Sequence, residues 1–198
     1  MNIAEPPNIA FFITWIVYFG IRHVFIKRTE GEKKTLSKMD GVERLLLLAM
    51  VPGIMVLPLL YLFSSVLSLA DYSLPPIVPW IGLSVLFGSL LMFWRSHSDL
   101  GQNWSVSIEL REGHELVTEG IYGRIRHPMY TSIWLWAIGQ GLTLENWLAG
   151  WAVVPAFALM YFLRLPREEA MMCEKFGDQY REYMKRTGRL LPKPEKTA

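Results

Sequence analysis

Residues 45–70 read LLLLAMVPGIMVLPLLYLFSSVLSLA, a run of 26 positions without a charged side chain. About 20 apolar residues in a helix cross the ~30 Å hydrocarbon core of a bilayer. A core helix of a water-soluble protein would carry a polar stripe along one face, and this run has none. It therefore predicts a transmembrane helix, whose length favours a tilt and whose Pro52, Gly53 and Pro58 favour a kink.

Four further segments of the chain are also long, apolar and largely uncharged. They cover residues 77–94, 128–144, 146–163 and, interrupted by Arg22 and His23, 8–26. The first of these in the chain has no Lys or Arg before it and no cleavage site after it, so we interpret it as a span and not as a secretory signal. We expect an all-α integral membrane protein with about five transmembrane helices. The break at residues 142–146 is so short that the last two spans must form an antiparallel hairpin.

The basic residues lie on one side of these predicted spans. Of the 20 Lys and Arg residues, six fall in residues 27–44, four in 95–127 and nine from 164 onward. By the positive-inside rule the N-terminus faces outside, and the C-terminal tail is cytoplasmic. A net charge of only +2, with no basic patch that has interleaved aromatic residues, gives no sign of nucleic-acid binding.

The chain divides into two regions by the distribution of its polar segments. Residues 1–94 carry three spans joined by one cytoplasmic loop at 29–43, which we expect to be surface-exposed. Residues 95–198 hold the hairpin, a long loop before it and a polar tail after it. The hairpin brings the cytoplasmic ends of its two spans together, so residues 126–130 (RHPMY) should meet residues 164–169 (RLPREE). Charges at a membrane boundary tend to be paired or functional, so we expect a pocket here, with interfacial anchoring as the alternative interpretation.

Several familiar site types find no support in the sequence. A lone Cys173 excludes an internal disulfide bond, and four scattered histidines do not predict a metal site. No G-x-G-x-x-G motif follows a strand, so a nucleotide-containing cofactor would have to bind in a helical pocket and not in a Rossmann fold.

Three motifs in the second region carry a resemblance to a known family. They are LGQNWS (100–105), HELVTEGIYGRIRHPMY (114–130) and REEAMMCEKFGDQYREY (167–183), followed by Arg189 and Pro192. This series resembles the isoprenylcysteine carboxyl methyltransferase family and, more broadly, the membrane methyltransferases that include phospholipid N-methyltransferases. The first two spans carry no signature of the family. The resemblance implies an S-adenosylmethionine-dependent carboxyl O-methyltransferase that acts on a prenylated cysteine or a similar lipid-linked acid.

The resemblance also implies which residues form the site. Those expected to line the S-adenosylmethionine pocket are His114, Glu115, Leu116, Val117, Tyr122, His127, Pro128, Met129, Tyr130, Glu168 and Glu169. The residues implied to be catalytic are Glu168 and Arg164, and Arg164 is expected to meet the acceptor carboxylate. Their i, i+4 spacing independently places both on one helix face, and a guanidinium can bind a carboxylate through two parallel hydrogen bonds.

Other functions remain open at the level of the sequence. A phospholipid N-methyltransferase is one alternative, and Arg164 argues against it because a cation repels an amine acceptor. An NADPH-dependent membrane reductase of the sterol type is another. The G-x-Y and R-H-P elements do not separate it from a methyltransferase, whereas the Glu168-Glu169 pair followed by F-G-x-x-Y favours the methyltransferase. A non-catalytic scaffold would leave the expected polar convergence unexplained.

Overall fold

The structure, a computed structural model, describes residues 2–28, 34–37, 41–101, 109–111 and 115–194. Its α-helices in chain order are α1 (Pro6–Arg28), α2 (Gly41–Val51), α3 (Leu57–Phe63), α4 (Val78–Leu100), α5 (Pro128–Thr143), α6 (Trp147–Trp151), α7 (Val153–Phe176) and α8 (Asp178–Arg186). Two short strands, β1 (Lys34–Ser37) and β2 (Glu109–Arg111), pair in antiparallel fashion and join the loop after α1 to the segment after α4. No pattern in the sequence predicted this pair.

Four helical stretches in the described part of the chain are long and apolar enough to cross a membrane. They are Pro6–Arg28, Gly41–Phe63, Val78–Leu100 and Trp147–Phe176. The remaining predicted span, residues 128–144, forms the shorter helix α5 of 16 residues. A spanning helix needs roughly 17–25 residues, so α5 falls just below this range. The predicted helical, multi-pass membrane architecture is therefore confirmed, with four stretches of full spanning length.

The second span differs from its prediction at both ends. Its helix begins at Gly41, ahead of the apolar run, and ends at Phe63, after which residues 64–70 form turns. Between α2 and α3 the chain makes a π-helical turn, Pro52–Val56, where the prolines favour an interruption. The early start makes residues 41–43 helical and leaves Glu43 with no exposed surface, so the expectation of an exposed loop at 29–43 is wrong over these last three residues.

Helix α5 lies at the centre of the bundle and packs closely on α4. A Cβ atom at Gly82 would lie 2.4 Å from the Thr143 hydroxyl oxygen and 2.9 Å from the Gly139 carbonyl oxygen. Small residues at such a crossing let two helix backbones approach, which is a main source of helix association in membranes. On its other side α5 packs on α7, where the rings of Trp134 and Phe157 lie 5.0 Å apart between centroids.

A buried amide fixes the far end of α5. The Gln140 side chain donates to the carbonyls of Gly53 at 2.8 Å and Ala149 at 2.7 Å, and it accepts from the Trp136 indole N–H at 2.9 Å. Because lipid offers no hydrogen-bond partners, buried polar groups in a membrane need protein partners. Gln140 thus joins the second span, α5 and α6 at the end opposite the predicted site.

The last helical stretch is continuous through its polar half. Helix α7 runs from Val153 to Phe176 and so continues past residue 163, where the predicted span ends, with Arg164 and Glu168 in its interior. Gly177, with φ of 54°, turns the chain into α8. After α8 the tail returns beneath the start of α5: the amides of Arg126 and His127 donate to the carbonyls of Gly188 and Arg189 at 2.8 and 3.0 Å.

The close α4–α5 crossing predicts that substitution by alanine affects stability very differently at two glycines of α4. Gly82→Ala should destabilise the bundle by about 1–3 kcal/mol, because the added methyl group overpacks the contact with α5. Gly88→Ala is the matched control, since nothing lies within 4 Å of a Cβ atom there. Thermal unfolding in detergent measures both effects. Equal melting temperatures for the two variants would contradict the close packing at Gly82.

Candidate active site

The predicted convergence of the two hairpin ends is present in the structure. The Tyr130 hydroxyl, in the first turn of α5, donates to Glu168 Oε2 at 2.8 Å. The His127 imidazole, just before α5, lies between two carboxylates, with Nδ1 3.6 Å from Glu168 Oε1 and Nε2 3.3 Å from Glu169 Oε1. The short hairpin connection therefore brings titratable groups from both sides of the hairpin into one cluster, as the topology requires.

Glu169 contacts three cationic side chains in this cluster. Its carboxylate is 3.3 Å from Arg126 Nη2, 3.3 Å from His127 Nε2 and 2.5 Å from Arg189 Nη2. The residue is 8% exposed and the side chains of Arg126 and His127 are largely buried with it, whereas the Arg189 side chain is 50% exposed. Three cationic side chains on one buried carboxylate give Glu169 a structural role in joining α7, the start of α5 and the tail. Its predicted contact with a cofactor stays a prediction.

Two arginines that the sequence interpretation left without a role also belong to the cluster, Arg126 before α5 and Arg189 in the tail. Arg126 Nη1 donates to the carbonyls of Met184, at 3.1 Å, and Thr187, which fixes its guanidinium beneath α8. Arg189 follows α8, where Thr131 Oγ1 also donates to the Leu190 carbonyl at 2.7 Å. Arg189 stands in the motif series of the sequence, which was the one available signal for its role.

The segment before α5 is held from two sides. The Asp99 carboxylate at the end of α4 accepts from the Ile121 amide at 2.8 Å, and the Tyr122 hydroxyl donates to the Ser96 carbonyl at 3.3 Å. From α8, the Tyr183 hydroxyl donates to the Tyr122 carbonyl at 2.6 Å. Burial, and then the negative charge of Glu168, raises the pKa of Tyr122, so its phenol stays protonated. Tyr122 is thus buried next to the cluster, and hydrogen bonds from its hydroxyl and to its carbonyl hold it in place.

Arg164 lies on the same helix as Glu168 but makes a contact that the sequence did not predict. Its Nη1 atom is 3.1 Å from Glu43 Oε1 on α2, with 12% of the Arg164 side chain and none of the Glu43 side chain exposed. Tyr130 and Glu168 also lie within electrostatic reach of the guanidinium. Arg164 is therefore a buried cation enclosed by α2, α5 and α7.

The remaining predicted site residues lie in varied settings. Pro128 is the buried first residue of α5, and Met129 is partly buried against the core. Leu116 and Val117 are half-buried and Glu115 is exposed in an irregular segment that leads to Tyr122. His114, and residues 102–105 of the first motif, lie outside the described residues.

The charge state of His127 follows from its two carboxylate neighbours. Burial disfavours the imidazolium, but the hydrogen bonds and negative charges of Glu168 and Glu169 outweigh it, so the pKa of His127 lies above its ordinary value. A protonated ring donates from both nitrogens, which suits a position between two acceptors. His127 is thus expected to be a cation in the folded protein.

This raised pKa predicts how His127 contributes to stability. Between the unfolded pKa of about 6.5 and the higher pKa of the folded state, the folded protein binds more protons than the unfolded chain. The contribution of His127 to stability is therefore fully present below the unfolded pKa and is lost as the pH rises through the folded pKa. The melting temperature of the wild type should therefore exceed that of His127→Gln most near pH 6, with the gap narrowing towards about pH 9. A gap independent of pH over this range would contradict a charged His127.

Comparison with known proteins identifies the region that contains this cluster. Residues 80–174 match the model of the "Isoprenylcysteine carboxyl methyltransferase (ICMT) family". Named relatives include the protein-S-isoprenylcysteine O-methyltransferase of Schizosaccharomyces pombe, 33% identical over 94 residues, which are 46% of this chain and 40% of that protein. The rat enzyme of the same name is 35% identical over 114 residues, 56% of this chain and 39% of that protein. The matches thus span about two fifths of each relative's length.

A solved structure extends the likeness to the fold of nearly the whole chain. The eukaryotic intramembrane Ras methyltransferase ICMT, solved without a monobody, superposes with a TM-score of 0.59 at 23% identity and covers 96% of this chain and 69% of its own. The superposition shows a shared membrane fold, and the matched sequence region contains the hairpin, His127 and the Glu168-Glu169 pair. Residues 80–174 of this chain are therefore similar in sequence to the isoprenylcysteine carboxyl methyltransferase family.

Proposed function

We propose that this chain is an S-adenosylmethionine-dependent methyltransferase of the membrane that methylates the carboxylate of a prenylated cysteine or a similar lipid-linked acid. The proposal rests on the cluster of Arg164, Glu168, Tyr130 and His127. The cluster lies inside the region of family match, at the end of the hairpin where residues 126–130 meet residues 164–169, here called the hairpin mouth. The named relatives are isoprenylcysteine O-methyltransferases, which supports this acceptor class over an amine and over a reductase substrate.

The surroundings of Arg164 suit an acceptor that arrives through the lipid. Phe162 and Leu163, which immediately precede it, are 68% and 47% exposed on the outer surface of α7. Apolar side chains exposed at a helix of spanning length face acyl chains. A prenyl group could therefore rest in lipid beside these residues while its carboxylate reaches the guanidinium. Arg164 would orient that carboxylate, because a planar guanidinium binds it through two parallel hydrogen bonds.

The residues on the other side of Arg164 fit the proposed cofactor. S-adenosylmethionine, when bound, supplies an electrophilic methyl group on a sulfonium cation. The Glu168 carboxylate, whose side chain is 29% exposed, is an acceptor suited to the cofactor's ammonium or hydroxyl groups. Tyr130 donates to one Glu168 oxygen and thereby orients the carboxylate. The proposed pocket continues over Tyr122, His127, Pro128 and Met129, with Glu169 behind them.

The segment expected to hold the cofactor through backbone groups lies before Tyr122. It comprises His114, Glu115, Leu116 and Val117, as in the family motif. Their backbone donors and acceptors would serve a polar ligand without adding charge.

Methyl transfer to a carboxylate mainly requires that the protein align the cofactor with the acceptor. A carboxylate acceptor is already a nucleophile, so no side chain has to remove a proton. Arg164 positions the acceptor and Glu168 positions the cofactor one helical turn away, and positioning alone can supply up to roughly 7–11 kcal/mol. Only 12% of the Arg164 side chain is exposed, and this limited contact with water strengthens the electrostatic contacts within the site.

We further propose that the N-terminus faces outside and that the hairpin mouth faces the cytoplasm. The one-sided distribution of Lys and Arg supports this orientation. The cofactor would then enter from the aqueous side and the acceptor laterally from the bilayer.

Two substitutions one helical turn apart should separate the two binding roles. Glu168→Gln should weaken S-adenosylhomocysteine binding roughly 10- to 100-fold, since a charge-assisted hydrogen bond contributes about 1.5–3 kcal/mol. Arg164→Ala should lower kcat/KM for a prenylcysteine analogue roughly 30- to 150-fold and leave the cofactor affinity nearly constant. Arg164→Lys should recover part of this loss, because it retains the charge but not the planar fork.

Calorimetric titration and methyl-transfer rates on the same detergent preparations measure both quantities. Glu182→Gln, which removes an exposed partner of Lys185 on α8, is the control for a surface charge. Full transfer activity in Arg164→Ala would contradict the acceptor role. A parallel loss of cofactor affinity and turnover would place Arg164 in the cofactor pocket instead.

A further inference from the structure

Glu43 is a fully buried carboxylate from a part of the chain that lies outside the family match. It belongs to α2, whereas the matched region begins at residue 80. Its Oε1 atom is 3.1 Å from Arg164 Nη1. The same carboxylate also lies within electrostatic reach of Tyr130, whose hydroxyl donates to Glu168. Glu43 thus adds a second acid to the surroundings of Arg164, from a different helix than Glu168.

The burial of Glu43 restricts what this ion pair can do during turnover. A carboxylate with 0% exposure cannot turn to water when its partner moves away. Removing the cation from a buried pair is costly, because the remaining charge has lost its compensation in a medium of low dielectric constant. Arg164 should therefore stay with Glu43 when the acceptor arrives, and the acceptor would not displace it.

The shape of the guanidinium allows both contacts at once. Its five N–H groups point outward in one plane, so one edge can hold a protein carboxylate while another meets a second carboxylate. Nη1 is the atom that faces Glu43. A flexible side chain held at one edge loses rotational freedom before the substrate binds, which lowers the entropic cost of aligning it.

We propose that Glu43 is a positioning residue, which holds one edge of the Arg164 guanidinium so that another edge faces the acceptor carboxylate. This inference rests on the proposed function and deepens it, since it makes the second span part of the acceptor site. Glu43 acts through Arg164, touches neither substrate, and fixes the acceptor geometry from a helix without a family motif.

Initial rates against a prenylcysteine analogue at saturating S-adenosylmethionine test this role. Glu43→Gln, which retains the shape but removes the charge, should lower kcat/KM for the acceptor about 10-fold or more and raise the acceptor KM, with S-adenosylhomocysteine affinity changed less than about 2-fold. Glu43→Asp should restore part of the loss. Arg44→Gln, at the exposed neighbouring position, is the matched control and should behave as wild type.

A double variant separates positioning from mere stability. Glu43→Gln combined with Arg164→Gln removes both buried charges, so its melting temperature should recover relative to either single variant. Its kcat/KM should nevertheless equal that of Arg164→Gln alone within about 2-fold, because the proposed effect of Glu43 on the acceptor is transmitted by Arg164. Recovery of activity along with the melting temperature would show a purely structural pair and overturn the proposal.

Two further results would also overturn the proposal. A lower acceptor KM in Glu43→Gln would mean that Glu43 competes with the acceptor, and unchanged kinetics would mean that it has no role. If the wild-type chain binds S-adenosylhomocysteine but transfers no methyl group to the analogue, the proposed acceptor itself is wrong and the role of Glu43 falls with it. An active wild type with an unaffected Glu43→Gln variant overturns the role of Glu43 alone.

Discussion

The carboxylate of Glu169 is the interaction on which the arrangement of the site depends. It contacts Arg126, His127 and Arg189, and so joins three segments that are separate in sequence, namely α7, the start of α5 and the tail. Removing one partner of such a buried group costs several kcal/mol, so the contacts have to form together. Backbone hydrogen bonds from Arg126 and His127 to the tail repeat the same connection. The start of α5 is therefore fixed against α7 and the tail before any ligand binds.

The two adjacent acids of this cluster have different surroundings. Glu169 is occupied by cations of the protein, whereas Glu168 is more exposed and accepts a hydrogen bond from Tyr130. Successive residues of a helix point about 100° apart, so one faces the tail and the next faces the proposed pocket. Three acids (Glu43, Glu168 and Glu169) face three arginines (Arg126, Arg164 and Arg189) and the protonated His127, so the site carries one positive charge. The proposed cationic cofactor and anionic acceptor would enter together without changing this net charge.

Some of this architecture was predictable from sequence and some was not. The lengths of the uncharged runs predicted the spans, and the short break after α5 predicted that residues 126–130 would meet residues 164–169. Both follow from local rules of length and connectivity. The pairing of Glu43 with Arg164 could not be predicted, because a charge beside an apolar run looks the same whether it faces water or a distant partner. The return of the tail beneath α5 likewise depends on backbone hydrogen bonds, which carry no side-chain signature.

If the hairpin mouth is the proposed helical pocket for S-adenosylmethionine, the protein must bind S-adenosylhomocysteine and not NADPH. A calorimetric titration of the purified 198-residue chain with each of these two compounds distinguishes a methyltransferase from a reductase. We expect saturable binding of S-adenosylhomocysteine that is competed by S-adenosylmethionine, and no binding of NADPH. Saturable binding of NADPH without binding of S-adenosylhomocysteine would contradict it and favour a reductase on the same helical frame.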